Sequence, residues 1–411
     1  MFARLAERPL LVALLLGLAA QALFTFHLDR PSIIMFDEVH YVPAARALLA
    51  LGAPLNTEHP LLGKELIAAG IALFGDNPIG WRILSTLAGT ATVLAGYAIV
   101  WLLVGQVRAA AFAGVFVAIN HSVFIQARIA MLDGFLAAFV TLGIAALLWE
   151  MRAPPGRGLP RLLLASVLLG LAVAVKWTAA PYVALAGIAL IADRWSAPKA
   201  TRSSIWIALP ILGVVSVFTY FLTFAPAFFY TQVPLTLDDL LPMQLRMYEA
   251  QTQVLHPHPY QSDWWSWPLL IRPIWYFYEP DQGNVRGVLM LGNPLLMWGG
   301  LLAVVACWAA WFRERSRAAL VAAGLWTFSL AIWALIPKSL GFYYYYHLSA
   351  IFVCVAIAVA MHHYRAKLAV WDEWFAFAAL VSFVYFYPIL SAAPLANKQA
   401  FNHWMWFASW R

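Results

Sequence analysis

The chemistry-bearing stretch of this chain runs from Met35 to Lys64, MFDEVHYVPAARALLALGAPLNTEHPLLGK. It holds an adjacent Asp37-Glu38 pair, then His59 and Lys64, in a chain otherwise dominated by apolar residues. A carboxylate there can take a proton from a hydroxyl, and a lysine ammonium can hold an anion. Further along, ARIAMLDGF carries Arg128 and Asp133, and VAVKWTAAP carries Lys176. One or two carboxylates among guanidinium and ammonium groups suit a phosphate-bearing lipid headgroup that carries a sugar. The cations would hold the phosphate and stabilise it as it leaves, while a carboxylate takes a proton from an incoming hydroxyl.

Each group also has a purely structural role open to it. Arg128 and Asp133 suit pairing with each other across a helix turn. Lys176 beside Trp177 suits an interfacial lysine whose stem lies along apolar surface. Asp37 and Glu38 suit capping of the helix that follows them. Asp37, Glu38 and His59 also form a thin ligand set for a divalent cation, short of the oxygen ligands that calcium or magnesium takes. The expectation is no metal and no other cofactor.

The elements that must position these groups follow from composition. The 411 residues are 63% hydrophobic and 11% charged, against roughly a quarter charged in soluble domains. Apolar runs recur along the whole chain, which predicts an all-α polytopic membrane protein in a lipid bilayer. The short alternating segments of a β-barrel are absent. The net charge of +7 fits arginines facing anionic lipid better than nucleic acid. Cys307 and Cys354 lie in apolar runs and spell neither a metal nor a disulfide pattern.

Eleven spans are expected, near 9–26, 81–104, 109–127, 133–150, 161–178, 180–193, 205–224, 288–312, 318–337, 342–361 and 372–390. The first also has the shape of a signal peptide, with Ala20-Gln21-Ala22 as a cleavage site. Placing the N-terminus in the cytoplasm puts Arg4, Arg8, Arg108, Arg152, Arg157, Arg161, Arg194, Lys199, Arg202, Arg313, Arg315, Arg317, Arg365 and Lys367 in short segments on one side. That is the positive-inside arrangement, and it leaves the C-terminus outside. Residues 1–411 then form one membrane domain with two long extracytoplasmic loops, 27–80 and 225–287. The first loop contains helix-like pieces at Val42–Leu51 and Pro60–Phe74, suited to the interface plane. No glycine-rich phosphate loop is present.

The second loop reads HPHPYQSDWWSWPLLIRPIWYFYEP. Its prolines exclude a long helix. Its aromatic rings suit either an interfacial belt or a wall on which a sugar stacks. His258, Tyr260 and Trp264 are the cleft candidates there. PKSLGFYYYYHLSA adds Lys338 and His347 at the outer end of a span. His59, Asp133 and His347 complete the set of cleft candidates.

Taken together, FDEVHYVPAARALL, EHPLLGKELIAAG, ARIAMLDGF, AVKWTAAP, HPYQSDWWSWPLLIRPIWY and FYYYYHLSA resemble the protein O-mannosyltransferase family. The resemblance runs from about residue 35 to the C-terminus, with the motifs in the family's order, and it implies a small bacterial member with a C-type glycosyltransferase fold. It further implies inverting transfer of mannose from a polyprenyl-phosphate donor to Ser or Thr hydroxyls of a translocated polypeptide. Asp37 would be the general base and Glu38 would position the acceptor or the base. Arg128, Lys176 and Lys64 would bind the donor phosphate. The implied location is the inner (plasma) membrane with the active site on the periplasmic side. Two departures stand out: Leu61 replaces the second proline of His-Pro-Pro-Leu-Gly-Lys, and Ala179 replaces the glycine of Lys-Trp-Thr-Gly. Two other functions remain open: the same fold moving another sugar onto a glycolipid or cell-wall polymer, and a transporter for a lipid-linked sugar.

Overall fold

A backbone crossing hydrocarbon must satisfy its own hydrogen bonds, so uninterrupted apolar runs become helices. The computed structural model describes residues 8–154, 156–196 and 204–411. Arg4, Lys199 and Arg202 of the charge sort lie outside the described residues. In chain order the helices are α1 (Pro9–Thr25), α2 (Glu38–Leu49), α3 (Leu62–Phe74), α4 (Pro78–Val104), α5 (Val107–Ala118) and α6 (His121–Gln126). Then come α7 (Leu132–Met151), α8 (Gly158–Val175), α9 (Ala180–Ser196), α10 (Ile205–Leu222) and α11 (Leu240–Gln251). A hairpin follows, β1 (Ile274–Asp281) and β2 (Asn284–Met290), and then α12 (Pro294–Glu314), α13 (Arg317–Ala331), α14 (His347–His363), α15 (Arg365–Leu368) and α16 (Trp371–Leu390).

Apolar helices stand at all eleven expected positions, and among the described residues eight segments are long and apolar enough to cross a membrane. Their ends follow local chemistry. Asn77 accepts the Ile79 and Gly80 amides ahead of α4, with Pro78 in the first turn, where its missing N–H costs nothing. Asn293 and Pro294 do the same for α12. The expected span at 288–312 therefore starts later, because β-branched Val285 and Val288 belong to β2. The expected span at 109–127 is broken at Asn120, which caps α6. The hairpin turns through Gln282 and Gly283, both at positive φ, as two-residue hairpin turns require.

In the first loop, α2 begins at Glu38 rather than Val42, so Pro43 lies inside the helix and not in its first turn. Pro43 leaves the Val39 carbonyl without its usual donor. α3 starts at Leu62, two residues after the expected Pro60, ends at the expected Phe74 and is too short to span.

α14 is the hub, buried along His347–Ala360 and packed by α5, α12 and α13. α8 lies between α7 and α10. A Cβ on Gly170 would come within 2.6 Å of the Ser216 carbonyl oxygen of α10, so glycine permits that close crossing. α1 packs on α4, where Gln21 bonds Thr86 and Thr90, so the signal-like segment is built into the bundle. One end of the bundle joins Arg108 to Asp372 and Glu373, and Arg194 to Glu150. The other end carries α2, α3, α11 and the hairpin. Asp281 accepts the Ser32 amide at 3.1 Å and pairs with Arg286 at 3.2 Å, pinning the hairpin to the first loop.

Candidate active site

The acidic pair opens α2, and its two carboxylates have different fates. Glu38 Oε1 receives Arg82 Nε at 2.7 Å and the Ala130 amide at 2.9 Å. Its Oε2 receives Arg82 Nη2 at 2.7 Å and the Met35 amide at 3.0 Å. Arg82 also donates to the Pro31 carbonyl at 2.7 Å and the Ile33 carbonyl at 2.9 Å. Glu38 thus ties the first loop, α4 and the turn before α7 together. Four donors already occupy its two oxygens.

Asp37 occupies the N-cap position, yet its side chain makes no cap bond and receives no hydrogen bond from the described residues. The capping role open to it in the sequence is not taken up. Phe36, just before it, has left-handed backbone at φ 47°. The Phe36 ring stacks on Tyr276 of β1 at 4.0 Å and meets Tyr344 edge-on at 5.7 Å. Asp37 is half-buried, and its pKa rises from 3.8 to about 6. Burial is the main cause; the Lys176 charge opposes it, the Asp133 charge adds to it, and His40 opposes it weakly. Asp37 is therefore a weak base rather than an inert anion near neutral pH.

Lys176 ends α8 in extended conformation. Its Nζ donates to both oxygens of Asp133, at 3.0 and 3.1 Å, with both residues buried. It also lies 5.3 Å from the Tyr345 ring and 5.7 Å from the Tyr344 ring. Asp133 therefore pairs with Lys176 and not with Arg128, and Lys176 is no surface lysine. Arg128 spends its terminal nitrogens on the carbonyls of Phe24, Phe26 and His27, at 2.8, 2.6 and 2.9 Å. It closes the end of α1.

Lys64 staples its own loop, donating to the Asn56 carbonyl at 2.6 Å and the His59 carbonyl at 2.9 Å. Burial lowers its pKa to about 7, with Glu58 and Glu65 opposing. The Gln251 amide of α11 reaches the Glu58 carbonyl at 2.7 Å and His59 Nδ1 at 3.2 Å, and Lys338 donates to the same Gln251. His59 is held well below its ordinary pKa, first by burial, then by the Lys176, Lys64 and Lys338 ammoniums. His258, Tyr260 and Trp264 lie farther out. His258 meets Phe342 edge-on at 5.3 Å, and Phe342 lies parallel to Tyr344 at 5.7 Å, so an aromatic wall runs from the second loop toward Phe36. Arg272 covers Tyr260 at 4.9 Å, while Trp264 opens a short turn of its own. His347 is buried below the site, with Nδ1 at 2.5 Å from Ser122 Oγ. Among the described residues no three His, Cys, Asp or Glu side chains gather as metal ligands.

Two spaces flank this cluster. A cavity of about 310 Å³ lies between the two long loops, with Thr57, Lys64, Tyr230, Met243 and Arg246 in its lining. Arg246 forms no hydrogen bond or ion pair among the described residues, and its side chain is exposed. An apolar groove of about 520 Å³ runs between α8, α9 and α10, past Val173, Val183 and Leu212 up to Tyr220. The Tyr220 hydroxyl receives Trp177 Nε1 at 2.9 Å and donates to Gln244 of α11. The groove thus ends at the turn that carries Lys176 and beneath the helix that carries Arg246.

Sequence reasoning passed over Arg82, Arg246 and Gln251. A lone arginine in the second turn of a long apolar helix is the signal that marks Arg82.

Comparison with known proteins agrees with this architecture. Residues 76–232 match the family "Dolichyl-phosphate-mannose-protein mannosyltransferase", and residues 236–410 match "C-terminal four TMM region of protein-O-mannosyltransferase". The chain is 27% identical to the polyprenol-phosphate-mannose–protein mannosyltransferase of Mycobacterium tuberculosis, over 92% of this chain and 86% of that protein. It is 26% identical to the enzyme of the same name from Corynebacterium glutamicum, over 92% and 88%. The S. cerevisiae Pmt1-Pmt2 complex bound to the sugar donor superposes with TM-score 0.85 at 13% identity, covering 98% of this chain and 93% of that one. ArnT from Cupriavidus metallidurans bound to undecaprenyl phosphate gives TM-score 0.61 at 16% identity, over 92% and 70%. These structural likenesses show a C-type glycosyltransferase fold. The chain is a multi-pass membrane glycosyltransferase that belongs to the protein O-mannosyltransferase family, whose members depend on polyprenol-phosphate-mannose.

Proposed function

We propose that this protein transfers mannose from a polyprenyl-phosphate donor to a Ser or Thr hydroxyl of a polypeptide, with Asp37 as general base. The observation that carries this reading is the division of labour in the acidic pair. Glu38 is saturated by four donors, while Asp37 stands unbonded beside Lys176 with its pKa near 6. In the proposed step the acceptor hydroxyl gives its proton to Asp37 as its oxygen bonds the anomeric carbon. The carbon–oxygen bond to the lipid phosphate breaks on the opposite face, inverting a β-linked donor to an α-linked product. Polyprenyl phosphate leaves with the electron pair, so the step calls for no redox partner or other cofactor.

Two spaces suit the donor. The apolar groove beside α10 fits a polyprenyl chain, and the Lys64–Arg246 cavity fits the phosphate, in line with the lipid phosphate and sugar donor held by the two structural neighbours. Lys176 would add positive charge near the leaving oxygen. The end bearing these groups lies opposite the arginine-rich end, which supports an extracytoplasmic active site in the inner membrane.

The test is transfer by purified protein in lipid nanodiscs, given polyprenyl-phosphate-mannose and a Ser/Thr peptide. Wild type is expected to mannosylate the peptide. Asp37→Asn is expected to bind donor without turnover, and undiminished transfer by that variant would falsify the base assignment.

A further inference from the structure

His347 has no role in the step above, yet it is buried at the head of the most enclosed helix and touches the site from below. Its Nδ1 is held by Ser122 Oγ at 2.5 Å, while Nε2 has no partner among the described residues. His347 and Asp133 line one small space of about 20 Å³, together with Thr178, Tyr182 and Tyr345. A cavity needs roughly 10–15 Å³ of that kind of volume and two to four polar neighbours to hold a water. This one meets both conditions.

We infer that His347 is a positioning residue: through one water in this space it fixes the Asp133 carboxylate, and thereby holds the Lys176 ammonium beside Asp37. In this chain of bonds the Ser122 hydroxyl donates to Nδ1, the Nε2–H donates to the water, and the water donates to Asp133. Asp133 in turn accepts Lys176 through both oxygens. In this arrangement the ring carries its proton on Nε2, and Nδ1 accepts from the Ser122 hydroxyl. The ring stays neutral throughout and meets neither donor nor acceptor.

The groups whose charge reaches Asp37 are Lys176, Asp133 and His40, with the hydroxyls of Tyr41, Tyr276, Tyr344 and Tyr345 around them. Of these, Lys176 is the one that most opposes the effect of burial on Asp37. Letting it drift should therefore raise the pH at which Asp37 ionises.

This inference rests on the proposed role of Asp37, and the test separates the two. The pH profile of kcat/KM is measured for wild type, His347→Leu, His347→Gln and Asp37→Asn, with thermal melts as a folding control. His347→Leu is expected to lose turnover roughly tenfold to a hundredfold, as small misplacements of catalytic groups do. Its acid limb should move to higher pH, with donor KM changing less than kcat. His347→Gln keeps an N–H near the Nε2 position and should keep the wild-type limb. If His347→Leu does not assemble, Ser122→Ala frees the ring from its far anchor and is read on the same limb. An unshifted limb in the leucine or Ser122 variant overturns the inference even if activity falls, as does an equal shift in the Leu and Gln variants. Full transfer by Asp37→Asn instead sinks the parent reading. A dead Asp37→Asn beside an unshifted His347→Leu sinks this one alone.

Discussion

Arg82 gives Nε and Nη2 to the two oxygens of Glu38, each at 2.7 Å, and neither side chain has any exposure to solvent. The remaining donors of Arg82 collect carbonyls at Pro31 and Ile33, so one ion pair sets the path of the first loop into α2. Removing one partner of such a pair strands a buried charge, at a cost of about 3–5 kcal/mol. Arg82→Ala and Glu38→Ala are expected to lower the melting temperature steeply or to fail to assemble in detergent. Glu38→Gln keeps the shape and should be milder. Size-exclusion and thermal melts check this, and an Arg82→Ala protein with wild-type stability would remove the brace from the account.

Asp37 predicts a pH dependence with a definite sign. Its pKa lies near 6 rather than 3.8 because burial disfavours the anion more than Lys176 favours it. A general base works ionised, so kcat/KM should be level above about pH 7 and fall about tenfold per unit below the pKa. Lys176→Gln removes the opposing charge and should push the limb to higher pH. A wild-type profile that stays flat down to about pH 4 contradicts a base of raised pKa.

Arg128 and Arg246 should separate in their effects. Arg128 is spent on three carbonyls at the end of α1, and hydrogen bonds to a charged group are worth roughly 1.5–3 kcal/mol. Arg128→Ala should lose stability, with donor affinity of the folded fraction within about twofold of wild type. Arg246 has no such bonds and lines the cavity between the loops. Arg246→Ala should melt within about 0.5 kcal/mol of wild type while its donor KM rises. Equilibrium binding of polyprenyl phosphate, measured beside the melts, distinguishes the two residues, and the reverse pattern would return the phosphate to Arg128.

What the sequence disclosed depended on the kind of signal. Helices in hydrocarbon are written in long apolar runs, so apolar helices appear at every expected position. Asp37, Asp133 and Lys176, singled out in separate motifs, do come near one another from three separate parts of the chain. Partner choice was not legible. Arg128 and Asp133 lie five residues apart in sequence, yet one closes α1 and the other holds Lys176. Proximity along the chain says nothing about which carbonyls or acids the fold brings nearer. The hairpin was lost for a similar reason, because the stretch 288–290 at the end of β2 is as apolar as the span that follows it.

Phe36 offers a test in which glycine and alanine should exchange their usual order. Its backbone sits at φ 47°, a conformation that costs a non-glycine residue roughly 1–2 kcal/mol. The ring offsets that cost by stacking on Tyr276 at 4.0 Å and meeting Tyr344, and the bend it imposes sets where Asp37 emerges. Phe36→Ala keeps the strain and loses the ring. Phe36→Gly loses the ring and the strain together. Elsewhere glycine is the less stable of the two by roughly 0.5–1 kcal/mol. Here Phe36→Gly should be the more stable, by about 1 kcal/mol, while both variants lose turnover because Asp37 is no longer held in place. Melting temperatures and transfer rates of the pair decide it. If alanine proves the more stable, the strained turn does not hold the proposed base, and the aromatic stack alone is left to do so.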